Sequence, residues 1–401
     1  MRTLWLRCLR LACVILAPTT CLFACSRATE PTSAQPALPG PASPSAPPLS
    51  PAPANAALAA RLDARITAEG EAFSGVVLVA RDGVPIYQKA AGLADRGYGR
   101  PNTIGTRFDL ASLTKMFTGV AVLQLVQAEK VRLDAPLGTY LTDYPNQEVA
   151  RKVTIHHLLT HTGGTGNTFG PLFSANRQQL RSLDDYVALF GNRPPLFEPG
   201  SRWEYSNYGF VLLGLVIERF SGQSYNDFVA EHVFSPAGMT HTDFGLREGS
   251  EDPAAGERAI GYTRRRPGQP PSAEPLPNTS IVPLRSTSAG GVYATAGDLL
   301  AFANALESHR LLDTKHTELL TTGQEPKPDG GKYAYGFSDA INDGQRCIGH
   351  SGGGPGMNAH LRICRAPGEA NSHVVVVLTN VDPPTGQDLM RAAREALAPD
   401  R

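Results

Sequence analysis

Ser112 and Lys115 stand three residues apart within Phe108 to Lys130 of this 401-residue chain, and at that spacing a hydroxyl and an amine share one helical face. On a first turn, near the positive end of the helix dipole, the pair suits nucleophilic attack on a carbonyl. Ser-x-x-Lys also arises by chance, and its plain alternative is a capping serine beside a solvated lysine. Two further segments supply groups that would complete the chemistry. Tyr205-Ser206-Asn207 follows the turn-forming Glu198-Pro199-Gly200-Ser201 and precedes an apolar helix, so Tyr205 and Asn207 can point one way from a loop. His350-Ser351-Gly352 lies at a strand end before Gly353-Gly354-Pro355-Gly356, where glycine lets a substrate backbone come close. Taken singly, these are equally a turn with a half-buried tyrosine and a glycine-rich hairpin.

Together and in this order, the three segments resemble the serine β-lactamase and penicillin-binding-protein family of active-site serine enzymes. Its pattern is Ser-x-x-Lys, then Tyr-x-Asn or Ser-x-Asn, then Lys/His-Thr/Ser-Gly. Leu158-Leu159-Thr160-His161-Thr162-Gly163, Gly238-Met239-Thr240 and Gly290-Gly291-Val292-Tyr293-Ala294-Thr295 extend the resemblance, which covers about 60 to 380 and is closest to the class C β-lactamase, D-aminopeptidase and esterase branch.

The resemblance implies an acyl-enzyme on Ser112, with Lys115 and Tyr205 as the two candidate bases. Asn207 would hold Lys115 or donate to substrate; His350, Ser351 and Gly352 would bind substrate. The oxyanion would sit between the backbone N–H groups of Ser112 and Gly353. A free lysine titrates near ~10.4, so Lys115 needs burial or a cationic neighbour to serve as a base. Where class C β-lactamases carry lysine to meet the antibiotic carboxylate, this chain has His350, which is neutral much of the time near pH 7. The expectation therefore moves to hydrolysis of an ester or amide, including D-amino-acid or peptidoglycan-type peptides. β-Lactamase activity, broad carboxylesterase activity and a non-turnover penicillin-binding, cell-wall-sensing domain are the alternatives. Neither a cofactor nor a metal is expected. His156, His157 and His161 include an i, i+4 pair but lack the Glu of His-Glu-x-x-His, so structural roles are assigned, with His161 against the turn at Gly163-Gly164.

These groups must be positioned by elements from distant parts of the chain. Asp109 can cap a helix over 112–129 that is apolar on nearly every side and therefore buried. Further helical patterns fall at 154–160, 182–190, 206–221, 224–232 and 296–307, after an opening helix from Asn55 to Gly70. Strands are expected at 74–81 and 84–90, joined by Asp82-Gly83, and at 333–338, 346–350, 358–365 and 373–380, before a closing helix over 391–397. The fold class is thus α/β (α+β), with one antiparallel sheet built from both chain ends, flanked by helices, and a mostly helical region inserted over about 110–320. The Pro- and Arg-rich stretch 263–283 reads as an exposed excursion, and with 166–200 it is expected to shape a pocket.

Composition narrows the partners. Lys plus Arg and Asp plus Glu are equal at 37 each, which leaves no electrostatic footprint for nucleic acid. Residues 1–25 read as a signal peptide: Arg2, Arg7 and Arg10 precede an apolar core beginning at Leu11 to Leu16. Its end, Leu22-Phe23-Ala24-Cys25, resembles a bacterial lipobox, which makes Cys25 a lipidation site anchoring the chain to a membrane; Ser26 after it suggests the outer membrane. A soluble periplasmic or secreted protein is the alternative. Residues 26–54 form a Pro/Ala/Ser-rich tether, and 55–401 the hydrolase domain, acting on a small-molecule or peptide substrate. Of six cysteines, Cys347 and Cys364 fall on neighbouring strands in an oxidising compartment, either as a disulfide or as two thiols.

Overall fold

Eight antiparallel strands from both ends of the chain form the main sheet of the computed structural model, which describes residues 53–245, 255–369 and 371–397. The strands are β1 (Gly75–Arg81), β2 (Val84–Ala91), β3 (Glu325–Pro326), β4 (Lys332–Tyr333), β5 (Ser338–Asn342), β6 (Gln345–Gly354), β7 (Met357–Arg365) and β8 (Ser372–Thr379). Their order is β3-β4-β5-β6-β7-β8-β1-β2, so the first strands join the last through β1 and β8, paired from Gly75↔Thr379 to Arg81↔His373. The expected union of the two chain ends is borne out. The stretches expected to be a signal peptide, a lipobox ending at Cys25 and nearly all of a tether lie outside the described residues.

Alternation along β1 explains why both faces of the sheet are covered. Val76, Leu78 and Ala80 enter the main core, while Val77 and Val79 pack with Leu58, Leu62, Leu389 and Met390 on the other side. Those partners belong to α1 (Pro53–Glu69) and α5 (Thr385–Leu397). The turn at Asp82-Gly83 has φ of 49° and 78°, the left-handed pair that matches a two-residue hairpin to strand twist.

The inserted region packs on the opposite face. At its centre is α2 (Thr114–Gln127), in which every residue from Thr114 to Leu123 is buried. Gly119 is required there: a Cβ at this position would lie 2.2 Å from the Tyr335 carbonyl oxygen. Against α2 lie α3 (Asn207–Ser221) and α4 (Ala296–Glu307).

Several expectations need correction. The helix begins at Thr114, two residues later than the pattern suggests, because Asp109 ends a short strand and a 3-10 turn intervenes. The strand expected at 333–338 stops at Tyr333, since Gly336 turns with a φ of 83°. Helices at Gln147–Lys152, Pro171–Asn176 and Thr314–Thr321 are too short to show a clear period. Nor is 263–283 simply an exposed excursion: Thr263 and Val282 are buried. Cys347 and Cys364 face each other directly across β6 and β7 and are joined by a disulfide.

Candidate active site

Ser112 sits in the 3-10 turn Ala111–Leu113, which runs straight into α2. Asp109 Oδ1 accepts the Ala111 N–H at 2.8 Å, and Ala111 holds a left-handed φ of 46°. That conformation is unfavourable for a residue with a Cβ and clusters at sites where geometry is imposed. Thr114 Oγ1 secures the turn by donating to Ala111 O at 2.9 Å and accepting the Val292 N–H at 3.3 Å. Ser112 is left part-exposed in the wall of a cavity of about 900 Å³.

One turn along, Lys115 is wholly buried. Its Nζ lies 3.2 Å from Ser112 Oγ, 2.7 Å from Asn207 Oδ1 and 2.6 Å from Ala289 O. None of these partners is a carboxylate, so burial drives the Lys115 pKa well below the ordinary lysine value. Asn207 Oδ1 and Ala289 O can only accept, which fixes two N–H bonds of the amine. In its neutral form the remaining lone pair then receives the Ser112 O–H.

The second segment is tied to the turn region 161–164 by backbone hydrogen bonds. Gly200 donates its N–H to Thr162 O at 2.8 Å, and Glu204 to His161 O at 2.9 Å. Ser206 caps α3, its Oγ accepting the Gly209 N–H at 2.9 Å. Asn207, in the first turn, therefore reaches both Lys115 and, through Nδ2, Asn167 Oδ1 at 2.9 Å. Tyr205 presents its ring to the cavity and to Lys115, whose Nζ is 4.9 Å from the ring centre. Its buried hydroxyl interacts with Ser112 without reaching full hydrogen-bond geometry. Burial raises the phenol pKa above the usual range, and Ser112 only partly offsets this.

Ser112, Lys115, Tyr205 and Asn207 thus converge as expected, and Gly353 lines the same cavity. Of the segment expected to bind substrate, His350, Ser351 and Gly352 do not themselves line the cavity, which begins at the next residue, Gly353. His350 is buried, donating from Nδ1 to Ser351 O at 2.6 Å and accepting the Tyr333 O–H at Nε2 at 2.9 Å. Burial and then the neighbouring Lys115 hold its pKa well below normal, so it carries no charge at neutral pH. Ser351 turns toward His360 and Arg362, with contacts at 2.9 and 2.8 Å.

Gly352 makes room for the protein's own nucleophile segment rather than for substrate: a Cβ there would lie 2.2 Å from Leu110 O and 3.0 Å from Ser112 N. Gly352→Ala should therefore lower kcat/KM at least ~10-fold, because small misplacements of a reacting group cost about that or more. Steady-state kinetics on the folded variant checks this, and unchanged activity would show that the turn tolerates displacement.

His161 also departs from expectation. Its ring packs at a tilt against Tyr205, with ring centres 4.3 Å apart, and against Tyr333 at 4.5 Å, rather than resting on Gly163-Gly164. Its Nδ1 accepts the Ser206 N–H at 3.1 Å, which fixes the backbone between Tyr205 and Asn207. Its φ of 63° gave no signal in the sequence. The stretches 166–200 and 263–283 do supply cavity wall, including Asn167, Phe173 and Val282, but neither these individual residues nor the Ala289 carbonyl carried a signal of their own. Among the described residues no cluster of three or more potential metal ligands occurs.

Residues 59–400 match the Beta-lactamase family. The chain belongs to that family. This beta-lactamase-family chain is 32% identical over 327 residues to esterase EstB of Burkholderia gladioli, covering 73% of this chain and 82% of the relative. A penicillin binding protein from Bacillus halodurans superposes with a TM-score of 0.70 at 33% identity, over 83% of this chain and 99% of that one. D-amino acid amidase from Ochrobactrum anthropi SV3 gives a TM-score of 0.71 at 24% identity, over 86% and 99%, a likeness of fold alone. Membership of the beta-lactamase family makes the chain a serine hydrolase.

Proposed function

We propose that this hydrolase cleaves esters or amides through an acyl-enzyme on Ser112, with Lys115 as the base that activates it. The observation carrying this reading is the buried Lys115 amine, set 3.2 Å from Ser112 Oγ and deprived of any carboxylate among its hydrogen-bond partners. As Ser112 Oγ forms its bond to the carbonyl carbon, its proton passes to Lys115 Nζ. The oxyanion is received by the backbone N–H groups of Ser112 and Gly353. Burial keeps the Tyr205 phenol protonated, so Tyr205 delivers a proton to the leaving oxygen or nitrogen as that bond breaks, and the Lys115 ammonium restores it. Water then attacks the acyl-enzyme by the reverse sequence.

Purified protein should release p-nitrophenol from p-nitrophenyl butyrate faster than buffer does. Absence of turnover on that ester, on D-alanine p-nitroanilide and on nitrocefin together would contradict the proposal.

We also propose that the chain is exported and anchored through lipidated Cys25. The lipobox-like Leu22-Phe23-Ala24-Cys25 supports this, as does the Cys347–Cys364 disulfide, a bond that persists in oxidising compartments. Cys25→Ala should move the protein from the membrane fraction to the soluble fraction; equal membrane retention of variant and wild type would refute the anchor.

A further inference from the structure

The cavity at Ser112 has a chemical character that bears on which acyl donor it takes. Among the described residues lining it there is no Lys, Arg or His; the one charged side chain is Asp109. Three cation-capable groups near the site are already engaged. Lys115 is committed to Ser112, Asn207 and Ala289. His350 is buried and committed to Tyr333 and Ser351, its ring centre 6.4 Å from that of Tyr205. Arg177 stands behind the wall, its guanidinium donating to the Val282 and Thr279 carbonyls at 2.5 Å each. A carboxylate entering this space would lose its hydration and meet no cationic side chain among the residues described as lining it.

What the walls do offer is apolar area. Phe173, Val211, Ile281, Val282 and Met357 line the interior. Phe169 stands at the mouth, 53% exposed, packed edge-on against Phe173 with ring centres 5.1 Å apart. An aromatic side chain left that open on the rim of an apolar cavity offers a landing surface for an apolar ligand. About 900 Å³ is far more than an acetyl or alanyl group fills, and each methylene that leaves water for such a wall favours binding.

We infer that the substrate is an uncharged ester or amide with a bulky apolar group, lodged against Phe169, Phe173 and Val282, and that donors bearing a carboxylate are disfavoured. The inference rests on the serine-hydrolase reading above and names its substrate class.

A matched pair of donors tests it on the intact chain: p-nitrophenyl hexanoate and the mono-p-nitrophenyl ester of adipic acid, which share a chain length and differ in a terminal carboxylate. Hexanoate should exceed adipate at least ~10-fold in kcat/KM and should exceed p-nitrophenyl acetate by a similar factor, both ratios corresponding to about 1.4 kcal/mol. Phe169 is exposed, so its replacement leaves the core intact. Phe169→Ser should narrow the hexanoate-to-acetate ratio through KM, and Phe169→Arg should raise adipate relative to hexanoate. Adipate turned over as well as hexanoate, with both rates abolished by Ser112→Ala, would overturn the substrate class and leave the hydrolase reading standing. Failure of every ester would remove the hydrolase reading itself.

Discussion

Ser112→Ala lowers kcat at least ~10⁴-fold on any substrate the protein turns over, while the variant stays folded. The magnitude follows from how nucleophile and base act as a unit. Removing the attacking atom leaves only substrate binding and oxyanion stabilisation, which retain a small residue of catalysis over water. The fold is expected to survive because Ser112 Oγ meets only the site groups Lys115 and Tyr205, while the turn itself is held by Asp109 and Thr114. Circular dichroism and thermal denaturation of the variant separate a lost nucleophile from a lost structure. Activity within tenfold of wild type would mean that another group attacks the carbonyl.

Lys115→Met should cost about 10³-fold in kcat/KM, within the range that a positioned general base contributes. Methionine keeps the length and apolar stem but leaves Asn207 Oδ1 and Ala289 O without their donor. The pH profile distinguishes a lost base from a lost packing group. Burial holds the Lys115 pKa well below the ordinary value of 10.5, and only the neutral amine can take the Ser112 proton. The rate therefore rises with pH through that lowered pKa and stays high above it, and the limb should vanish in Lys115→Met. Asn207→Asp adds a negative charge where Oδ1 now lies 2.7 Å from Nζ, which favours the ammonium form and shifts the limb to higher pH. A limb that stays put in Asn207→Asp and persists in Lys115→Met would assign the titration to another group, with Tyr205 next to test.

The chemistry-bearing segments were legible because each is local. Ser-x-x-Lys lies on one helical face, and Tyr205 with Asn207 on one helix entry, so spacing alone sets their directions. The partners of His350 were not legible, because what a strand side chain meets depends on neighbours distant in sequence, here Tyr333. The pairing of Gly352 with Ala359 and Gly353 with Asn358 sets β6 against the Ser112 turn. That close fit requires Gly352 and leaves His350 to Tyr333. The sheet was readable from its alternating and all-apolar runs, as in Val374 to Val377 of β8. The cavity walls were not readable in detail: Arg177 reaches the carbonyls of Thr279 and Val282 from a hundred residues away, and no local pattern announces such a tie.

The attacking atom can be identified directly by peptide mapping after exposure to a fluorophosphonate, which phosphonylates an activated serine. One equivalent of label is expected, located on Ser112, with hydrolysis lost in proportion to labelling and much slower labelling of Lys115→Met. Label on a different residue, or full hydrolytic activity in protein fully labelled at Ser112, would contradict it.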